Sequence, residues 1–334
     1  MIPYSVLDLA VVTEGSDPKE AIERSRDLAI HAEKLGYKRF WMAEHHNMEH
    51  IASSATSVLL GHMAEATSSI RIGSGGIMLP NHSPYVIAEH FGTLATMYPG
   101  RIDLGLGRAP GTDQTTAYAI RPDRMKEVYN FPENVAQLQN YLSSGNAENK
   151  VRAFPGEGTE IPLWILGSST DSAHLAAKMG LPYAFASHFA PQQLLNAIRI
   201  YREEFQPSSQ LEEPYVMAGI NVITADTNEQ AEYLSSSTKQ MFVGVITGER
   251  KPLPPPVDNI NEVLPFQHQM ALKQMLAYSF VGDKQRIRDN LSRFIEQTKV
   301  DELITASYIF DHKERLKSHR LFTEAVEGIT LEAI

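Results

Sequence analysis

Cysteine is absent from the 334-residue sequence. Disulfide bonds, thiolate nucleophiles and metal sites with cysteine ligands are therefore excluded. Positive charge is also scarce, because 30 Lys and Arg residues stand against 40 Asp and Glu residues and leave a formal net charge of -10 at pH 7. This balance argues against nucleic acid or an anionic membrane as a partner, since both require basic patches.

Long apolar runs are lacking as well. No segment approaches the roughly 18 consecutive apolar residues of a membrane-spanning helix. The first residues lack the basic region and the apolar core of a signal peptide. The composition, with 43% hydrophobic and 21% charged residues, is ordinary for a globular protein. We therefore expect a cytoplasmic protein without a membrane span.

Short apolar runs alternate with segments of helical spacing along the whole chain. Predicted strands begin at Ser5, Phe40, Ile70, Arg101, Leu163, Tyr183, Tyr215 and Glu302, and the first extends to Val12. Alternating strands and helices predict a parallel sheet with right-handed crossovers. Eight such units favour a closed (β/α)8 TIM barrel over an open sheet, as a single domain spanning residues 1–334.

Several longer segments interrupt this alternation and are predicted to be loops inserted at the C-terminal mouth or on the surface. Residues 109–125 are expected to form a long loop, and residues 143–158 a polar surface excursion. Residues 248–264 contain a proline cluster that excludes regular helix and central strand, so this segment is either a mobile lid or a linker. Residues 266–280 have the spacing of a helix.

Polar residues follow the predicted strands at their C-terminal ends. They are Glu44, His45 and His46, then Gly75 and Gly76, then Arg108, then Ser168 to Ser172, and finally Ser187 and His188. Each group alone is typical of ordinary loops. In a barrel, however, these ends converge on one mouth, which is where ligands bind and chemistry occurs.

The serine-rich group Ser168–Ser172 lies between a predicted strand and a predicted helix. Free backbone N–H groups at a helix start, helped by the helix dipole and by Ser hydroxyls, form an anion site, although an ordinary N-cap explains the same residues. Arg108 supplies a positive charge to the same anion. Gly75 and Gly76 allow a flat ligand to approach the backbone, with a β-bulge as the alternative. Residues 105–111 do not match a dinucleotide fingerprint.

A metal site is the main alternative for the histidines. Glu44, His45, His46 and His50 are close in sequence. Adjacent strand residues point to opposite faces, so His45 and His46 do not reach one ion while the strand continues. No His-Glu-x-x-His motif is present. We therefore predict no metal site.

Four motifs, in order along nearly the whole chain, resemble the bacterial luciferase-like flavin-dependent monooxygenases. They are Trp41–His46, Gly73–Pro80, Pro99–Arg108 and Leu166–Ser169. The resemblance is to the single-chain oxidoreductases of that family. It implies a (β/α)8 barrel that holds reduced FMN at its C-terminal mouth.

The resemblance also implies roles for individual residues. His45 matches the family's catalytic histidine, and Gly75 and Gly76 match the cis-peptide segment beneath the isoalloxazine ring. The remaining predicted cofactor contacts, most of them to the phosphate, are Arg108, Gly167, Ser168, Ser169 and Ser172. Gly107 stands where light-emitting relatives carry a cysteine, and residues 248–264 differ from their long lid. Light emission and a long-chain aldehyde substrate are therefore not expected.

The resulting prediction is an FMNH2-dependent monooxygenase that oxidises a small organic substrate with O2. A separate flavin reductase is expected to supply the reduced flavin, and the family implies a homodimer. Two alternatives stay open: an F420-dependent oxidoreductase that transfers hydride, and a flavin-binding protein without its own chemistry. Glu44 either orients His45 or caps the end of the strand, and the second interpretation is favoured.

Overall fold

The computed structural model describes residues 1–329, and in this range the strands form one parallel sheet. The strands are β1 Tyr4–Asp8, β2 Arg39–Met42, β3 Arg71–Met78, β4 Ile102–Gly107, β5 Leu163–Gly167, β6 Tyr183–Phe185, β7 Val216–Thr224, β8 Ser279–Gly282 and β9 Glu302–Ala306. Strand β1 pairs with β2 and β9, β9 pairs with β7, and β7 pairs with β6. These pairings close an eight-stranded barrel, which confirms the predicted (β/α)8 fold.

Helices surround the barrel and connect its strands. They are α1 Pro18–Lys34, α2 Thr56–Glu65, α3 Pro84–Met97, α4 Gln114–Ile120, α5 Arg124–Tyr129, α6 Phe131–Leu142, α7 Thr170–Met179, α8 Leu194–Glu204, α9 Asn228–Thr247, α10 Phe266–Met275, α11 Lys284–Thr298 and α12 His312–Glu327. The predicted cap of α1 is present, since Asp17 accepts a hydrogen bond from Glu20 N at 2.8 Å. Of residues 1–329, no helix is long and apolar enough to cross a membrane.

The prediction of one helix over residues 266–280 is wrong at its C-terminal end. Helix α10 ends at Met275, and Ser279–Gly282 forms β8 instead. Strand β8 pairs with the outer end of β7, from Asn221 to Thr224, so it lies outside the closed ring. Phe280 packs against Phe294 of α11, and this tertiary contact stabilises an extended segment that local spacing does not reveal.

Two other boundaries differ from the prediction. The first strand ends at Asp8 rather than Val12, because Ala10 has a positive φ of 48° that interrupts extended backbone. The segment 109–125 is not a plain loop, since α4 lies within it and α5 begins there. Asp113 caps α4 by accepting a hydrogen bond from Thr116 N at 2.9 Å.

The proline-rich segment 248–264 packs against the loop that follows β1. Leu253 N donates to Val12 O at 2.9 Å, and Glu14 N donates to Leu253 O at 2.8 Å. The Leu253 side chain is buried in an apolar cluster with Phe242 and Tyr308. These contacts hold one end of the segment beside the C-terminal mouth.

A network of buried charges fills the opposite, N-terminal end of the barrel. Arg39 Nη1 lies 2.6 Å from Asp103 Oδ2, and Arg39 Nε lies 3.0 Å from Glu302 Oε1. Arg71 Nη2 contacts the second oxygen of Asp103 at 2.6 Å. Ser5 Oγ donates to Glu302 at 2.5 Å. Because the carboxylates are buried, each depends on these partners to offset its lost hydration.

Removing Arg39 leaves two buried carboxylates without their shared cation. We expect Arg39→Met to lower the free energy of unfolding by about 3–5 kcal/mol, as for other broken buried ion pairs. Arg199→Met is the matched control, because the side chains of Arg199 and of its partner Glu203 are each 58% exposed. Exposed pairs contribute less than about 1 kcal/mol. Urea denaturation of both variants tests this expectation, and equal losses would contradict it.

Candidate functional site

A cavity of about 650 Å³ opens at the C-terminal mouth of the barrel. This volume is typical of sites for small molecules and cofactors. Its floor consists of apolar side chains that point inward from the strands, including Leu7, Trp41 and Ile304. Trp164 packs edge-on against Trp41 beneath the floor, at 5.2 Å between ring centroids.

The structure brings the predicted site residues together in this cavity, with one exception. Lining residues among them are His45, Gly75, Arg108, Gly167, Ser168, Ser169 and Ser172. Gly76 does not line the cavity, because it faces the neighbouring strand, where an added Cβ would lie 2.7 Å from Gly105 O. The Gly75–Gly76 peptide bond is cis, as the resemblance implies.

Gly75 supplies bare backbone to the cavity wall. A Cβ at this position would lie 2.7 Å from Leu7 Cδ1 and 3.2 Å from Trp41 Cβ. A larger residue therefore requires the floor to shift. The wall at this point has no side chain of its own and is bordered by Leu7 and Trp41, which suits an apolar planar ring.

The start of α7 forms a cradle of hydrogen-bond donors on one side of the cavity. Ser169 occupies the N-cap position, but its side chain makes no capping hydrogen bond. The first N–H groups of a helix have no intrahelical partner, and here only that of Thr170 has an acceptor, Gln193 Oε1 at 3.1 Å, among residues 1–329. Ser172 Oγ donates to Ser169 O at 2.7 Å, which braces the turn. The free N–H groups and the Ser169 hydroxyl are suited to an anion such as a phosphate.

Arg108 extends from the end of β4 toward the same cradle. Its guanidinium is half-exposed and lies 3.3 Å from Asp171 in the first turn of α7. Gly167 allows close approach beside it, because a Cβ there would lie 1.9 Å from Ser172 Oγ. These residues fit the phosphate of a flavin or deazaflavin nucleotide.

His45 lies on the cavity wall just beyond β2. Its Nδ1 pairs with Gly111 O at 3.3 Å, and since a carbonyl only accepts, the neutral ring carries its proton on Nδ1. Burial, reinforced by the charges of Arg250 and His50 and opposed by the Gly111 hydrogen bond, lowers the pKa of His45 to about 4. At neutral pH, His45 is therefore uncharged, and its Nε2 is a proton acceptor.

The Glu44 side chain makes no hydrogen bond to the His45 ring but organises the surrounding loop. Its carboxylate accepts hydrogen bonds from His46 Nε2 at 2.8 Å, His82 Nε2 at 2.9 Å and Met78 N at 3.0 Å. Burial opposes the charge, yet these hydrogen bonds prevail and lower the pKa of Glu44 to about 2. This geometry agrees with the interpretation of Glu44 as a cap at the strand end.

His188, which follows β6, lines the cavity as its place at a strand end predicts, although no cofactor or catalytic role was predicted for it. It is 8% exposed, and its buried Nδ1 has no hydrogen-bond partner among residues 1–329. Gly219 makes room for the ring, because a Cβ there would lie 2.4 Å from His188 Nδ1. Burial, together with the neighbouring charge of His45, lowers the pKa of His188 to about 4.

The sequence analysis did not predict the outer wall of the cavity, because the residues of this wall come from a helix rather than from strand ends. Met241, Phe242 and Val245 of α9 line the cavity, and Arg250 follows on the next segment. Apolar residues at helical spacing have the same sequence signal whether they face the core or a cavity.

Among residues 1–329, no three His, Asp or Glu side chains are grouped to hold a metal ion.

The lowered histidine pKa values predict a pH dependence of stability. His45 and His188 have folded-state pKa values of about 4, below the ordinary 6.5, so between these limits the unfolded chain binds protons that the folded chain does not. The free energy of unfolding should therefore fall as the pH drops from 7 to 5. We expect His188→Gln to reduce this slope in urea titrations at pH 7, 6 and 5. An unchanged slope would show that His188 does not contribute.

Comparisons with known proteins agree with the barrel fold. A family profile described as "luciferase-like monooxygenase" matches residues 2–302. A "luciferase-like monooxygenase" of Escherichia coli K12 is 51% identical over 98% of both chains. The crystal structure of apo-MsnO8 superimposes with a TM-score of 0.91 at 34% identity, covering 98% of this chain and 99% of the other.

A relative with a more specific name is the N-acetyl-S-alkylcysteine monooxygenase of Bacillus subtilis. It is 32% identical to this chain over 98% of both proteins. The family profile and these relatives span nearly the whole sequence, and the barrel fold agrees with that of apo-MsnO8. The chain therefore belongs to the luciferase-like monooxygenase family, whose members are oxidoreductases.

Proposed function

We propose that this protein is an FMNH2-dependent monooxygenase that oxidises a small organic substrate with O2. The observation that supports this most directly is the combination of groups in one cavity. A phosphate cradle at Ser168–Ser172, a neutral histidine at position 45 and bare backbone at Gly75 share a cavity that, in residues 1–329, no Asp or Glu lines.

The donor set fits the cofactor. Ser169, the first N–H groups of α7 and Arg108 would hold the flavin phosphate, and Gly75 with Leu7 and Ile304 would face the ring. Bound reduced FMN would supply two electrons and two protons, which reduce one atom of O2 to water while the other enters the substrate.

The apolar wall formed by α9 would exclude water from the cavity. Met241, Phe242 and Val245 cover the cavity from outside the strand ends. Excluding water would limit side reactions at a bound cofactor and would strengthen the remaining polar contacts. The loop segment 248–264 is anchored beside this wall, and we propose that it acts as a lid.

His45 would move a proton at Nε2. The hydrogen bond from Nδ1 to Gly111 O fixes the ring, and the lowered pKa keeps Nε2 free to accept a proton at neutral pH.

A separate reductase is part of the proposal, because the sequence has no dinucleotide fingerprint for a nicotinamide cofactor. The proposal also includes a homodimer. The name of the Bacillus subtilis relative supports N-acetyl-S-alkylcysteines as the first assay substrates.

Anaerobic titration with FMN, FMNH2 and F420 tests the cofactor. We expect FMNH2 to bind and to be reoxidised when oxygen is added, with oxygen transfer to an assay substrate. Binding of F420 alone would favour the hydride-transfer alternative. Flavin binding without any oxidation of substrate would favour the alternative without chemistry.

The same titration on Gly167→Ala tests the phosphate cradle. The new Cβ would displace Ser172, so we expect FMNH2 binding to weaken about tenfold or more through loss of hydrogen bonds to a charged group. Gly145→Ala is the control, because its Cβ would meet only Ser143 Oγ at 3.5 Å, an ordinary contact, far from the cradle in sequence. Equal binding by the two variants would contradict the assignment.

His45→Ala tests the proton transfer. We expect turnover to fall about tenfold or more, as for loss of a general acid or base, while FMNH2 binding and the urea midpoint change little. His90→Ala on the exposed face of α3 is the control and should keep wild-type turnover. Wild-type turnover in His45→Ala would discard the role of this residue.

A further inference from the structure

Arg250 is a cation at the cavity rim whose charge has no partner in the described part of the chain. Arg250 is an exposed residue that lines the cavity, and within residues 1–329 its one side-chain hydrogen bond goes from Nη1 to Met48 Sδ at 3.3 Å. Among residues 1–329, no Asp or Glu oxygen lies within 4.0 Å of it. A thioether is a weak acceptor, so this contact leaves the guanidinium available to an anion.

The other two arginines of the cavity are engaged in different ways. Arg108 lies 3.3 Å from Asp171 beside the phosphate cradle. Arg124 Nε donates to Asn81 Oδ1 and its Nη2 donates to Arg108 O, both at 2.7 Å. Arg250 is therefore the cavity cation, within residues 1–329, that lacks an oxygen partner.

Arg250 and the phosphate cradle lie on opposite sides of the mouth. The cradle follows β5, whereas Arg250 contacts Met48 beyond β2 and is followed by Leu253, which pairs with Val12 beyond β1. In the closed ring, β1 and β5 are separated by three strands on either side, and β2 and β5 are separated by two strands on the shorter side. A phosphate bound at the cradle therefore does not also contact Arg250.

Between these two poles the cavity favours an anion with an apolar body. The described lining contains no carboxylate, although the chain as a whole carries a net charge of -10. Arg250 contacts Met48, and the preceding helix α9 contributes the apolar lining side chains Met241 and Val245. His45 and His50 also line the cavity within range of the charge of Arg250. An arginine fork binds a carboxylate through two parallel hydrogen bonds, which fixes the orientation of the bound molecule.

We propose that Arg250 is a substrate-binding residue that pairs with a carboxylate, and that the substrate class is an organic acid with an apolar body. The carboxylate lies on Arg250, and the apolar body extends past Met241 and Val245 toward His45. This inference rests on the proposed function in taking the cavity as the site of oxidation.

Calorimetric titration of the purified protein with 3-phenylpropanoate and with 3-phenylpropanamide tests the pairing. These probes differ in charge and hardly in shape. We expect the acid to bind about tenfold or more tightly than the amide, as for a hydrogen bond between charged groups. In Arg250→Gln this preference should disappear, and in Arg250→Lys it should return in part.

Lys251→Gln is the matched control, because it removes the same charge from the neighbouring residue. Lys251 is 79% exposed and does not line the cavity. It should keep the wild-type preference for the acid. Equal binding of the two probes by the wild type, binding of neither, or equal effects of the two Gln variants would each overturn the inference.

A parallel titration with FMNH2 and F420 separates this inference from the proposed function. Unchanged cofactor binding in Arg250→Gln is expected. If the variant weakens either cofactor as much as it weakens the acid, Arg250 belongs to the cofactor site and the inference fails. If neither cofactor binds the wild type, the proposed function fails, while the preference for the acid still reports on Arg250.

Discussion

The buried ion network at the N-terminal end of the barrel is the interaction on which the rest of the structure depends. Arg39, Asp103 and Glu302 belong to β2, β4 and β9, so their contacts join three strands of which no two are neighbours in the sheet. The guanidinium of Arg39 also lies over the Trp164 ring, 4.7 Å from its centroid. Charge and aromatic packing together seal this end, and the opposite end is left open as the cavity.

This arrangement explains how a small number of strand-end residues form a site. With the floor sealed by Trp41 and Trp164, the side chains at the mouth are supported from below. The loops above are fixed in turn by buried hydrogen bonds, of which those to Glu44 are the most concentrated. His45 therefore lies between the aromatic floor and the loop that Glu44 fixes, although its ring shares no hydrogen bond with either.

The barrel and much of its mouth were predictable because both depend on local signals. Alternation of strands and helices indicates the fold, and polar residues at strand ends such as Arg108 and Ser169 mark the mouth. The failures depend on tertiary contacts. Strand β8 pairs with the end of β7 that extends beyond the ring and packs Phe280 against Phe294 of α11. Gly76 is adjacent to the cavity in sequence but faces Gly105, and no sequence pattern distinguishes it from Gly75.

The position of the aromatic floor has a practical optical consequence. The chain contains two tryptophans, Trp41 and Trp164, and their rings pack edge-to-face at the base of the cavity. All of the indole fluorescence of the protein therefore originates at the site. A bound ring that absorbs near the indole emission would quench nearly the whole signal by energy transfer. The protein thus carries a built-in, label-free reporter of cavity occupancy, suited to screening compound libraries against this site.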